Sequence, residues 1–159
     1  MEAHSHHRHH HDTAASSLDR TALMATLHCL AGCAIGEVLG MVIGTALGWG
    51  NLETIVLAVA LAFVSGYLFT MIPLLRSGLA LGAATRIALA ADTASITIME
   101  IVDNLVMLVI PGAMDAGLDS LLFWGSLAFA LAVAGIAAYP VNRWLIGRGR
   151  GHALVHADH

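Results

Sequence analysis

Lysine is absent from this chain of 159 residues, and the whole basic charge rests on seven arginines. Only 11 % of the residues are charged, against about 25 % in ordinary soluble domains. With 58 % hydrophobic residues and a mean hydropathy of +0.79, too little polar surface remains to clothe a water-soluble domain. Cysteine is also scarce. The two present, Cys29 and Cys33, stand four apart, a spacing that closes a disulfide badly on a helix, so a disulfide framework is excluded and both are expected as free thiols or metal ligands. Catalytic patterns are missing as well. No Ser/His/Asp constellation and no phosphate-cradling glycine loop occurs, so no enzymatic activity and no nucleic-acid partner is expected.

What is present is long apolar runs. Four stretches reach the ~18 apolar residues that cross a bilayer, approximately 23–47, 54–75, 87–110 and 121–145. They predict an all-α polytopic membrane domain over 21–147, its four helices arranged as two antiparallel hairpins. Residues 1–20 and 148–159 are expected as disordered His-rich tails, because low hydrophobicity without periodicity cannot offset chain entropy. The first holds His4, His6, His7, His9, His10 and His11, and the second His152, His156 and His159, compositions that attract metal ions.

The arginines give the orientation. Arg8 and Arg20 precede the first run, Arg76 and Arg86 separate the second and third, and Arg143, Arg148 and Arg150 follow the fourth. The two opposite connections carry acids and no positive charge. Positive residues stay inside, so both termini are expected in the cytoplasm of a multi-pass inner-membrane protein. Trp49 at one face and Tyr139 with Trp144 at the other fit interfacial anchors. The first run follows about twenty polar residues and lacks a cleavage site, so it is expected to remain as a span.

Two i+4 rows mark the first span. Gly32, Gly36, Gly40, Gly44 and Gly48 make a groove where another backbone can approach closely, as membrane helices do when lipid removes the usual hydrophobic drive. Beside it run Cys29, Cys33, Glu37, Met41 and Thr45, while His28 heads the glycines. Thiol, imidazole and thioether together favour copper or zinc. The third span presents Asp92, Met99 and Asp103 in one narrow arc, flanked by Ser95, Glu100, Asn104 and Met107. Acids within a span are costly and mark ion or proton routes, and no basic residue at comparable depth neutralises these.

The expected site follows from both rows. His28, Cys29, Cys33, Glu37, Met41, Asp92 and Met99 are assigned as metal ligands, and Glu100, Asp103 and Asn104 as the ion pathway. With both helices running outward, Asp92 is expected level with Cys33, and Glu100 level with Glu37. The function so read is transition-metal binding or transport, with a metallochaperone and a second copy or another membrane protein as partners. Oligomerisation is expected because four helices enclose a pathway poorly. Two alternatives stay open: a proton- or alkali-cation-coupled carrier or channel using the carboxylates alone, and a non-transporting scaffold or accessory subunit that docks through the glycine row.

The run His28, Cys29, Leu30, Ala31, Gly32, Cys33, Ala34, Ile35, Gly36, Glu37, Val38, Leu39, Gly40, Met41 resembles one motif of a prokaryotic membrane family, domain of unknown function 4396. Asp92, Thr93 and Ser95, followed by Met99, Glu100, Ile101, Val102, Asp103 and Asn104, resemble its second motif. The resemblance covers all four spans and leaves out the tails. It implies a four-helix integral membrane protein and supplies no mechanism.

Overall fold

The computed structural model describes the backbone of residues 6–148 and the side chains of residues 16–148. Four α-helices follow one another: α1 (His6–Ala46), α2 (Asn51–Arg76), α3 (Leu81–Val109) and α4 (Leu121–Gly147). No strand occurs among the described residues. The helices match the expected runs within a few residues except at two starts. α3 begins six residues before the expected span. α1 begins at His6, so the backbone of residues 6–20 is helical where a disordered tail was expected. That stretch contains neither Gly nor Pro, and extending an existing helix avoids the nucleation cost that a free tail would face. Met1 to Ser5 and the expected C-terminal tail from residue 149 lie outside the described residues.

α1, α2 and α4 are long and apolar enough to cross a membrane. α3 matches them in length, since 29 residues rise about 43 Å, but its acids lower its hydropathy. Those acids are segregated. Asp92, Glu100 and Asp103 are buried inside the bundle, whereas Ile101, Leu105, Leu108 and Val109 cover the outward face of α3. Leu39, Val56 and Ile136 are exposed in the same way on the other three helices. An apolar exterior around a polar interior inverts the soluble pattern and suits lipid as solvent.

The glycine row of α1 holds α2. A Cβ built at Gly32 would lie 2.8 Å from Gly66 Cα, one at Gly36 would overlap the backbone of Leu61 and Ala62, and one at Gly40 would overlap Ala58. Gly44 faces the Thr54 side chain. Rising numbers on α1 meet falling numbers on α2, so the two helices run antiparallel. Ser65 adds an interhelical hydrogen bond by donating its hydroxyl to the Gly32 carbonyl. Gly48 departs from the row. It lies beyond the last residue of α1 with φ +68°, and a Cβ there would meet nothing within 4 Å. Its role is to end α1 in the left-handed conformation, with Trp49 N–H donating to Gly44 O at 3.0 Å.

α4 closes the bundle against α1 and α3. Deep in the α1/α4 contact, Asn142 Nδ2 donates to Thr26 Oγ1 at 2.9 Å, and both residues are buried. At the arginine-bearing end, Arg143 pairs with Asp19. At the opposite end Asn51 Nδ2 donates to Asp115 Oδ1 at 3.1 Å, tying the start of α2 to the α3–α4 connection.

Candidate functional site

The face of α1 turned away from α2 lies against α3, and the two helices run parallel there. Cys29 donates to Asp92 Oδ1 at 3.6 Å, with Ser95 beside the same thiol. One turn further along, Cys33 faces Glu100. One more turn brings Glu37 within hydrogen-bonding reach of both Glu100 and Asp103. The expected register is therefore displaced for the first pair: Asp92 is level with Cys29 and not with Cys33. Helical periodicity fixes which residues share a face, while the axial offset of two helices depends on how they pack. The expected level of Glu100 and Glu37 agrees with the contact observed.

Glu37, Glu100 and Asp103 form the centre of the site. They are 3 %, 4 % and 4 % exposed. Apart from the Cys33 thiol and the carboxyl groups of the three acids themselves, no hydrogen-bond donor among the described residues reaches either carboxylate oxygen of Glu37 or of Glu100, or Oδ1 of Asp103. Buried carboxylates are ordinarily paired or richly hydrogen-bonded, because removing one from water without compensation costs many kcal/mol. Like charges add to that cost: two carboxylates about 4 Å apart repel by roughly 4 kcal/mol at an effective dielectric of 20. Three acids with no local cation can persist together only if protons or a bound cation remove most of their charge.

A cavity of about 110 Å³ begins at Glu37 and Asp103. It passes Asn104 and reaches Trp49 and Asn51 at the α1–α2 turn, the end of the bundle opposite the arginines. That volume accommodates several waters or a partly hydrated ion. Its polar lining includes Thr45 and Thr54 as well as the acids. Asn104 donates its side-chain amide to Glu100 O at 2.8 Å, so its carbonyl remains as an acceptor at the cavity wall.

The ligand set expected from the sequence is divided. Cys29, Cys33 and Met99 belong to a densely packed cluster with Ile96, Ala62, Ala134 and Ala138. Met41 packs with Met107, Phe123 and Leu127 in a separate cluster. His28 lies edge-on to Phe69 of α2, with ring centroids 5.3 Å apart. Among the described residues, no group of three or more His, Cys, Asp and Glu is arranged to hold a metal ion. Sequence reasoning singled out Met107 as a flanking residue but passed over Met114, which reaches the cavity from the α3–α4 connection. No periodicity links that non-helical segment to either row. The contact between Asn51 and Asp115 was equally invisible, because Asn51 starts α2 and Asp115 sits in the α3–α4 connection, with no periodicity linking the two.

No curated protein and no solved structure matches the chain. A family model matches residues 19–151, which takes in all of the bundle from the first buried turn of α1 to the end of α4 and both motifs that line the α1/α3 interface. By that match the chain belongs to the family described as domain of unknown function DUF4396.

Proposed function

We propose that this protein is a membrane cation carrier in which a cation exchanges with protons at Glu37, Glu100 and Asp103. The observation that carries the reading is the convergence of three buried carboxyl groups with no basic partner among the described residues; two of them, Glu37 and Asp103, line a polar cavity. A protonated triad satisfies itself, since a carboxylic acid donates to a neighbouring carboxylate. A cation arriving through the cavity can replace those protons at little change in net charge. Such an exchange needs no nucleotide and draws its energy from an ion gradient.

In this reading α3 crosses the bilayer with the other three helices, its acids turned inward and its apolar face in lipid. The cavity opens toward the outside. Cys33 and the Cys29–Asp92 pair continue the polar line toward the arginine-bearing end, which the positive-inside rule assigns to the cytoplasm. The prokaryotic inner membrane is the corresponding location. Copper or zinc held jointly by His28, Cys29, Cys33, Glu37, Met41, Asp92 and Met99 would require those donors to converge, and the separation of Met41 from Cys29, Cys33 and Met99, with His28 against Phe69, favours the carboxyl site. The scaffold reading loses its main support because α2 of the same chain occupies the glycine groove.

Proteoliposomes test the proposal. With an imposed pH gradient and an entrapped pH-sensitive dye, the wild-type protein is expected to dissipate the gradient on addition of an external cation. Glu37→Gln should slow this at least tenfold while the protein remains folded. Equal rates for wild type, Glu37→Gln, Glu100→Gln and Asp103→Asn would overturn it.

A further inference from the structure

Three methionines converge on the cavity from three different segments: Met41 from α1, Met107 from α3 and Met114 from the α3–α4 connection. The same cavity has Glu37 and Asp103 at its base, and among the described residues no His, Cys, Lys or Arg lines it. We infer that it binds a soft monovalent cation of the copper(I) or silver(I) class, coordinated by the thioethers of Met41, Met107 and Met114 and charge-balanced by one carboxylate of the triad. The inference rests on the reading of that triad as a cation site and names the cation.

The donor chemistry selects the ion. A thioether is a neutral, polarisable sulfur donor that favours copper(I), whereas zinc takes thiolate and imidazole and calcium takes six or more oxygens. Three neutral sulfurs contribute no charge. One ionised carboxyl group then balances one positive charge, while a divalent ion would need two, and the remaining acids can keep their protons. Glu37 and Asp103 supply the independent sign of a ligand here: both are more than nine-tenths buried and line the cavity, and beyond the acids of the triad no donor among the described residues reaches Glu37 Oε1, Glu37 Oε2 or Asp103 Oδ1. Met41 and Met114 are half-buried at the wall, so their sulfurs can turn toward an ion without breaking the core. Methionine has three rotatable side-chain bonds and adapts readily to such a change.

The three methionines also pack near Phe123 and Leu127, a task that leucine performs at nearly equal volume. The deciding variant is therefore Met41→Leu/Met107→Leu/Met114→Leu. Full-length protein in detergent is titrated with silver(I), which does not change oxidation state under these conditions, then desalted and analysed for bound silver. The triple variant is expected to retain one silver fewer than wild type, whereas Cys29→Ser/Cys33→Ser retains that ion. Equal silver retention by a folded triple variant would overturn the inference and leave the triad reading intact, provided proton exchange in liposomes still depends on Glu37. Loss of that dependence would instead remove the triad reading. Should the triple variant fail to fold, selenomethionine-labelled protein carrying Cys29→Ser/Cys33→Ser replaces it. X-ray absorption should then show silver–selenium contacts, and their absence would overturn the inference.

Discussion

α1 presents two faces built on the same i+4 spacing, and they behave in opposite ways. Toward α2 it offers glycines, and the backbones close until Gly32 and Gly66 leave no room for a methyl group. Toward α3 it offers thiols and a carboxyl group, and the interface there ends in an open polar cavity with unsatisfied acids. The glycine face gains packing. The polar face gives up stability by burying charge-bearing groups that a hydrophobic replacement would not need to satisfy. A membrane bundle has no excess polar surface on which such groups could reside by accident. The glycine face is therefore the anchor that keeps the polar face in place.

The largest effect that separates the two faces should come from Gly36→Leu. Its side chain would enter the Leu61 and Ala62 backbone, which cannot yield as a flexible side chain would, and overpacking of this type costs roughly 1–3 kcal/mol or more. Loss of the monodisperse species in size-exclusion chromatography is expected; a variant of wild-type stability would break the contrast. Glu37→Gln gives the opposite signature on the other face. Function should fall at least tenfold, while the midpoint of unfolding in a denaturing detergent holds or rises, by about 1 kcal/mol, as a buried group able to carry charge is replaced by a neutral amide. A large fall in stability would show that the acid is structural.

Ser65→Ala sharpens the comparison at smaller scale. It removes the hydroxyl that donates to the Gly32 carbonyl, and interhelical hydrogen bonds in membranes average about 0.6 kcal/mol, so a small but measurable drop in the same unfolding midpoint is expected. Cys33→Ser should have the least effect on proton exchange. The thiol faces Glu100, and a hydroxyl keeps both the size and the ability to donate there. An exchange rate reduced as far as in Glu37→Gln would move the centre of the mechanism from the acids to the thiols.

The different legibility of these faces has a physical origin. Gly32, Gly36, Gly40 and Gly44 could be read from the chain because small residues at helical spacing have one main use in a bilayer, close approach. Gly48 continued the count yet belongs to a turn, since the end of a helix depends on local backbone conformation. Glu37, Glu100 and Asp103 were legible as inward-facing residues through periodicity and the cost of exposing an acid to lipid. Their mutual pairing was only partly legible: the contact between Asp92 and Cys29 shows that axial offset between helices can move one partner by a turn. Met114 could not be placed at all. Its position depends on how the α3–α4 connection folds back over the cavity, which involves residues distant in sequence and the Asn51 to Asp115 contact.

Counting protons during cation binding tests the central claim most directly. Weakly buffered wild-type protein in detergent is titrated with silver(I) or sodium while released acid is followed with an indicator, in parallel with Glu37→Gln/Asp103→Asn so that release from the histidines common to both proteins cancels. Exchange at the triad predicts that wild type releases about one proton more per protein than the double variant as the saturating cation binds, because one carboxyl group must ionise to balance one positive charge. Identical release from the two proteins would contradict it.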